Sequence, residues 1–277
     1  MISIVNFTNR FLTLAFDLIC WPFMTLPPIW AMTVISLMSG IAMVWVFGKI
    51  SDQAIIKTLR EQIRGNLIGV RLFQSDLSVS MRLQRRIFSD TMRYMKHALI
   101  PMVILSVPVL LIMSQLNLRF AVRPATPGEQ ILVKAFVRDT QLLDRTVTLE
   151  TEPTVIVETP GVRIPLTREV TWRVRAQSAG QHEITIHVGE QTLESHLIAG
   201  NRWGPVPQRR TGRGAIDTLL YPGAPPIPTN HNVEAVEIGY QTLQLRIFGL
   251  TVHWLVAFLT LSIVFGFAFK GLIGVEI

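Results

Sequence analysis

The sequence predicts an α+β integral membrane protein: three transmembrane helices, a cytoplasmic helical hairpin and an extracytoplasmic β-sandwich of immunoglobulin-like (Ig-like) size. Three observations carry that prediction. Two apolar runs without an ionisable side chain, 28–47 and 98–116, flank a strongly basic polar stretch. From Leu118 the hydrophobic period changes from helical to two. A third apolar run, 248–269, returns near the end of the chain and is closed by Lys270. Each run would be about 30 Å long as a helix, the thickness of a bilayer's hydrocarbon core.

Composition points the same way. Of 277 residues only 16% are charged, and the mean hydropathy is +0.39, which is low in charge and high in apolar content for a soluble domain. A net charge of +7 and a pI near 10.2 raise the question of nucleic acid. The excess, however, lies between the first two apolar runs, whereas 117–246 is nearly balanced in sign. Basic residues beside apolar spans follow the positive-inside rule and attract anionic lipid, so membrane lipids are the expected partner and DNA is not. The single cysteine, Cys20, excludes an intramolecular disulfide and a Cys-based metal site. Residues 1–25 do not read as a signal peptide. Asp17 interrupts the apolar region, no small-x-small site follows, and Ile19 before Cys20 does not suit a lipoprotein box.

Residues 1–27 place Phe7, Phe11, Leu14, Leu18 and Trp21 at helical spacing, with Asn9, Arg10, Thr13 and Asp17 interleaved. That pattern predicts an amphipathic helix at the membrane interface, or a simple anchor for the first span, ended by Pro22. Pro27-Pro28 makes a rigid corner, and Trp30 sits where an interfacial aromatic belongs. In the first span, 28–48, Ser36, Ser39, Gly40 and Met43 recur on one face. Small residues there read as close packing against another helix, or as a slightly polar groove wall.

The stretch 49–97 reads as a basic antiparallel hairpin. Its first helix, 52–73, carries an apolar stripe of Ile56, Leu59, Ile63, Leu67 and Val70. Gln74-Ser75-Asp76 interrupts it and supplies the cap of a second helix. That helix shows Leu77, Met81, Gln84, Phe88 and Met95 on one side and Arg82, Arg85, Arg86 and Arg93 on others. The arginines read as a solvated stalk, or as contacts to lipid headgroups or ribosomal RNA. The second span, 98–117, contains Pro101 and Pro108, which predict a kink and freed carbonyls within reach of Ser106.

Residues 118–200 read as the β-sandwich, with strands at 118–122, 130–137, 146–150, 154–158, 169–175, 182–188 and 192–198 separated by Pro/Gly turns. Trp172 reads as core, and His182, His187 and His196 as exposed strand histidines rather than a metal site. Residues 201–246 read as an irregular Pro/Gly-rich linker with Arg202, Arg209, Arg210 and Arg213, from which 233–240 returns as an edge strand. The third span, 247–270, is entered by His253-Trp254, and its Ser262 and Gly266 share a packing face ahead of a short tail, 271–277. With the basic hairpin inside, the N-terminus and the β domain lie outside and the C-terminus inside.

No enzyme signature is present: there is no G-x-S-x-G, P-loop, H-E-x-x-H or paired carboxylate within a span, and no cofactor is called for. The layout resembles the YidC/Oxa insertase superfamily, in its three-span branch. The residues that carry the resemblance are Pro27-Pro28-Ile29-Trp30, the first span, the hairpin 57–93, the second span and 248–269, about half of the chain. The resemblance implies a bacterial inner-membrane insertase or chaperone whose hydrophilic groove receives a client's transmembrane segment. It implies that Ser36, Ser39, Met43, Ser106 and Ser114 face that groove, and that Arg82, Arg85, Arg86 and Arg93 meet lipid or the ribosome. The alternative is a non-catalytic envelope scaffold, with the β domain on a periplasmic partner and the hairpin on a cytosolic one.

Overall fold

The computed structural model describes residues 2–144, 147–212, 214–247 and 249–274. Thr146, Arg213, Phe248 and the tail from 275, which the sequence reading includes in a strand, the linker, the third span and the cytoplasmic end, lie outside the described residues. The helices are α1 (Ile2–Cys20), α2 (Pro28–Ile50), α3 (Gln53–Leu72), α4 (Leu77–Phe120), α5 (Ala215–Leu220) and α6 (Trp254–Ile273). The first strands are β1 (Gln130–Val137), β2 (Val147–Thr151), β3 (Val155–Val157), β4 (Val162–Ile164) and β5 (Glu169–Ala176). They are followed by β6 (Gly180–Val188), β7 (Gln191–Ala199), β8 (Arg209–Thr211), β9 (Val233–Ile238), β10 (Leu245–Ile247) and β11 (Leu250–Val252). The chain divides into two compact units, Met1–Ala31 with Leu110–Leu255, and Met32–Val109 with Val256–Ile277.

The first unit is built on two antiparallel sheets that share one core. One runs β3-β5-β1-β9-β8, with β4 also pairing β5, and the other runs β2-β6-β7. Period-two alternation turns Ile131, Val133, Ala135 and Val137 of β1 inward, where they meet Val170, Trp172 and Val174 of β5 and Ile184, Ile186 and Leu197 of the second sheet. Trp172 sits in that core, opposite Val133 in the ladder.

Residues 118–120 continue α4 and are not a strand; Leu118 and Phe120 are buried on the helix, and a run this short fits either period. β9 is not an edge strand: β1 pairs one side of it and β8 the other. The stretch 201–230 is not wholly irregular, since it supplies β8 and α5. Three residues between prolines are too short to show a period, so β8 is invisible in sequence. His182 is not exposed: its Nδ1 lies 2.9 Å from Thr154 Oγ1 and its Nε2 2.9 Å from the Ser178 carbonyl. The third span, α6, starts at Trp254, because Leu250-Thr251-Val252 form a strand that pairs β10 across a turn at Gly249. Gly249 has φ +84°, the left-handed region that a side chain resists.

In the second unit α2 and α6 touch backbone to backbone. A Cβ added to Gly40 would lie 2.5 Å from the Ser262 carbonyl oxygen and 3.1 Å from the Gly266 nitrogen. The small faces of both helices therefore do pack against each other. Asp52 caps α3 by accepting the Ile55 N–H, and Asp76 caps α4 by accepting the N–H groups of Ser78 and Val79. The bond from Val79 leads the causes that hold the Asp76 carboxyl below its usual range.

The packing face of the hairpin differs from the expected one. Leu83, Ile87 and Tyr94 are half-buried, while Leu77, Met81, Gln84, Phe88 and Met95 are exposed. Gly69 lets Leu83 approach α3 closely, since a Cβ there would stand 3.0 Å from Leu83 Cδ1. Asn66 Nδ2 donates to Asp90 Oδ2 at 3.3 Å across the same seam. The hairpin's second helix and the second span are one helix, α4, which runs unbroken through Pro101 and Pro108. Each proline lacks the N–H that would bond the carbonyl four residues back, at His97 and Ile104, and Ser106 donates instead to the Val103 carbonyl of its own turn.

Three helices are long and apolar enough to cross a membrane: Pro28–Ile50, Leu77–Phe120 and Trp254–Gly271. Their apolar windows are 39%, 22% and 22% buried within the chain, so most of their surface is uncovered.

Candidate functional site

The residues expected to face a client lie on the first two spans. Ser36 is fully buried and its hydroxyl oxygen finds no partner among the described residues. Ser39 is buried, Met43 half-buried and Ser106 exposed. Ser114 is buried, donates to the Leu111 carbonyl, and belongs to the unit that carries the sheets, apart from the other four. Both Ser106 and Ser114 thus commit their hydroxyls to their own helix.

On the hairpin, Arg82, Arg85, Arg86 and Arg93 are all exposed. Arg85, Arg93 and Lys96 surround Phe88 and Met92 in a shallow depression of about 430 Å³. Arg86 and Arg93 join Gln62, Asn66 and Asp90 around a second one of about 550 Å³. Cations interleaved with exposed apolar side chains suit a surface that is both anionic and apolar.

A third constellation escapes the sequence reading. Arg119, in the last turn of α4, is fully buried. It donates to Asp17 Oδ1 at 2.6 Å, to the Thr13 carbonyl at 2.9 Å and to Gln115 Oε1 at 2.8 Å, and lies 5.6 Å from the Phe16 ring centroid. Gln115, also buried, donates to Thr13 Oγ1 at 3.2 Å. Alongside, burial pushes the Cys20 thiol up to about 11, with Arg119 pulling down and Asp17 pushing up, so it stays protonated and unreactive. The cluster clamps α1 onto the end of α4 through a charged pair. Its signal is two polar residues one turn apart on each helix, Thr13 with Asp17 and Gln115 with Arg119.

The strand-rich unit holds a cleft of about 350 Å³ between β7 and β8, walled by the proline-rich segment 223–228. Arg210 on β8 lines it. Its Nε donates to the Pro225 carbonyl at 2.7 Å and its Nη1 to the Glu194 carbonyl. Burial lowers the affinity of this guanidinium for its proton, and nearby Glu194 opposes that. His231 bridges the two walls: Nδ1 accepts the Val233 N–H at 3.0 Å, and Nε2 lies 3.2 Å from the Thr192 carbonyl. Elsewhere, His187 lies 3.0 Å from Glu150 and His196 is exposed, and no group of three or more metal-ligating residues forms among the described residues.

A further clasp joins the segment leaving α4 to the one approaching α6. Arg123 grips Glu129 with two hydrogen bonds of 2.8 and 3.0 Å and reaches Gln241 Oε1 at 2.6 Å. Burial works against the charged Glu129, but the Arg123 hydrogen bonds and the Thr126 N–H prevail and hold its carboxyl below the usual range.

Fold and sites together define a class: an α+β protein with three membrane-length apolar helices, a basic hairpin and a two-sheet lobe carrying a cationic cleft. Compared with family models, curated proteins and solved structures, the chain matches none at a significant level.

Proposed function

We propose that this is an integral protein of the bacterial inner membrane, and that it acts as a YidC-like insertase or chaperone for the transmembrane segments of client proteins. In this reading the basic hairpin is cytoplasmic, and the two-sheet lobe is an extracytoplasmic domain of immunoglobulin-like kind. The observation that carries it is the bare flank of α4. Leu99, Met102, Val103, Ile104, Val107 and Leu110 are all exposed, on a helix that continues directly into the hairpin. Helices in lipid associate by close packing and hydrogen bonds rather than by the hydrophobic effect, so an uncovered span accommodates a transient helical neighbour. Arg82, Arg85, Arg86 and Arg93 then serve anionic headgroups or the ribosome.

Photocrosslinkers at Ile104 and Val107, with others at Ser36 and Ser106, test this during synthesis of a membrane protein. Capture of the nascent apolar segment is expected, and labelling of lipid alone overturns the reading. The cleft beside Arg210 favours a second reading, an envelope scaffold. Deleting residues 126–198 would then abolish function while client insertion continued unchanged.

A further inference from the structure

We infer that the cleft between β7 and β8 is a peptide-binding site, which takes an extended polypeptide end by its free carboxylate on Arg210 and its main chain on the β7 edge. The inference does not rest on an insertase role.

Two independent features meet in this cleft. The first is a cation with no carboxylate hydrogen-bonded to it. Arg210 spends Nε and Nη1 on two main-chain carbonyls, and no carboxylate accepts from it among the described residues. The cleft's one carboxylate, on exposed Glu194, acts on the guanidinium through its charge, while the hydrogen bond between the two residues goes to the Glu194 carbonyl. The site therefore keeps a partly desolvated positive charge whose planar fork matches a carboxylate.

The second feature is an unfinished strand edge. β7 ends its sheet, and alternate residues turn their backbone groups away from β6. Most of these are occupied. Thr192 and Glu194 carbonyls accept from His231 and Arg210, and Ile198 bonds through its N–H to the Tyr240 hydroxyl and through its carbonyl to Ala125. His196 lies between them in the same phase, lines the cleft, and has no described partner for its N–H or carbonyl. A strand laid along His196 would complete the ladder, and its terminal carboxylate would come to Arg210. A single guanidinium beside a strand edge suits a peptide carboxylate better than a phosphate, which gathers several cations.

The test uses the full-length protein in nanodiscs and a pool of N-terminally biotinylated heptapeptides, either with free C-terminal carboxylates or amidated. Capture of the free-acid pool and loss of about tenfold on amidation is expected, the size of one charge-assisted pair. R210Q should lose the same factor, and R210K, which keeps the charge but not the fork, should fall between. H196P removes the edge N–H that points away from β6 and should also abolish capture. Unaltered melting of R210K guards against misfolding as the cause. Equal capture of both pools, no capture of either, displacement by inorganic phosphate, or an R210Q protein that binds as before would overturn the inference.

Discussion

At the scale of single residues, one buried charge holds α1 to the end of α4. Arg119 is shut away from solvent, so its guanidinium is tolerable only while Asp17 faces it. Breaking such a pair typically costs about 3–5 kcal/mol; because the Asp17 side chain is 38% exposed, Asp17→Ala should cost about 2–3 kcal/mol. The expected readout in detergent is a lowered melting temperature together with faster alkylation of Cys20, as α1 loosens. Replacing both partners with apolar residues, D17L with R119M, should recover much of the loss. Glu129 makes a pH prediction. Its folded value lies below the ordinary one of 4.5, so its stabilisation is complete above that value and is lost as pH falls through the depressed one. Melting followed from pH 6 to 3 should drop less steeply in E129Q than in the parent.

At the scale of elements, two glycines in helices have opposite meanings. Gly40 lets α2 touch the backbone of α6, and any side chain there meets the Ser262 carbonyl. Gly40→Val should separate the pair, seen as lost crosslinking between cysteines placed on α2 and α6. Gly65 on α3 has open space around it, so Gly65→Ala should stabilise the hairpin by about 0.5–1 kcal/mol through helix propensity alone. If G40V were silent and G65A disruptive, the described packing of both helix pairs would be wrong.

At the scale of the whole molecule, the charge asymmetry along the chain sets the proposed orientation. Leu166, almost fully exposed on the strand-rich lobe, and Ser78, exposed on the hairpin, report on it. With native Cys20 buried, an impermeant maleimide added to intact spheroplasts should label Leu166→Cys and spare Ser78→Cys. The reverse pattern would remove both the topology and the proposed role.

Long signals are legible in the residues themselves. Charge-free runs of membrane length, the basic stretch between two of them and the strand periods at 130–137 and 169–175 depend on local composition, and composition is enough to read them. The small faces of Gly40 and Gly266 were legible for the same reason. What stayed hidden depends on residues far apart in the chain. Gly69 meets Leu83 across the hairpin, and Arg119 finds Asp17 across an interval no periodicity spans. β8, only three residues long, took the outer ladder of β9 and brought Arg210 to the edge of β7. Burial and partnership are properties of contacts. A chain read residue by residue carries the capacity for them, and only folding chooses which are made.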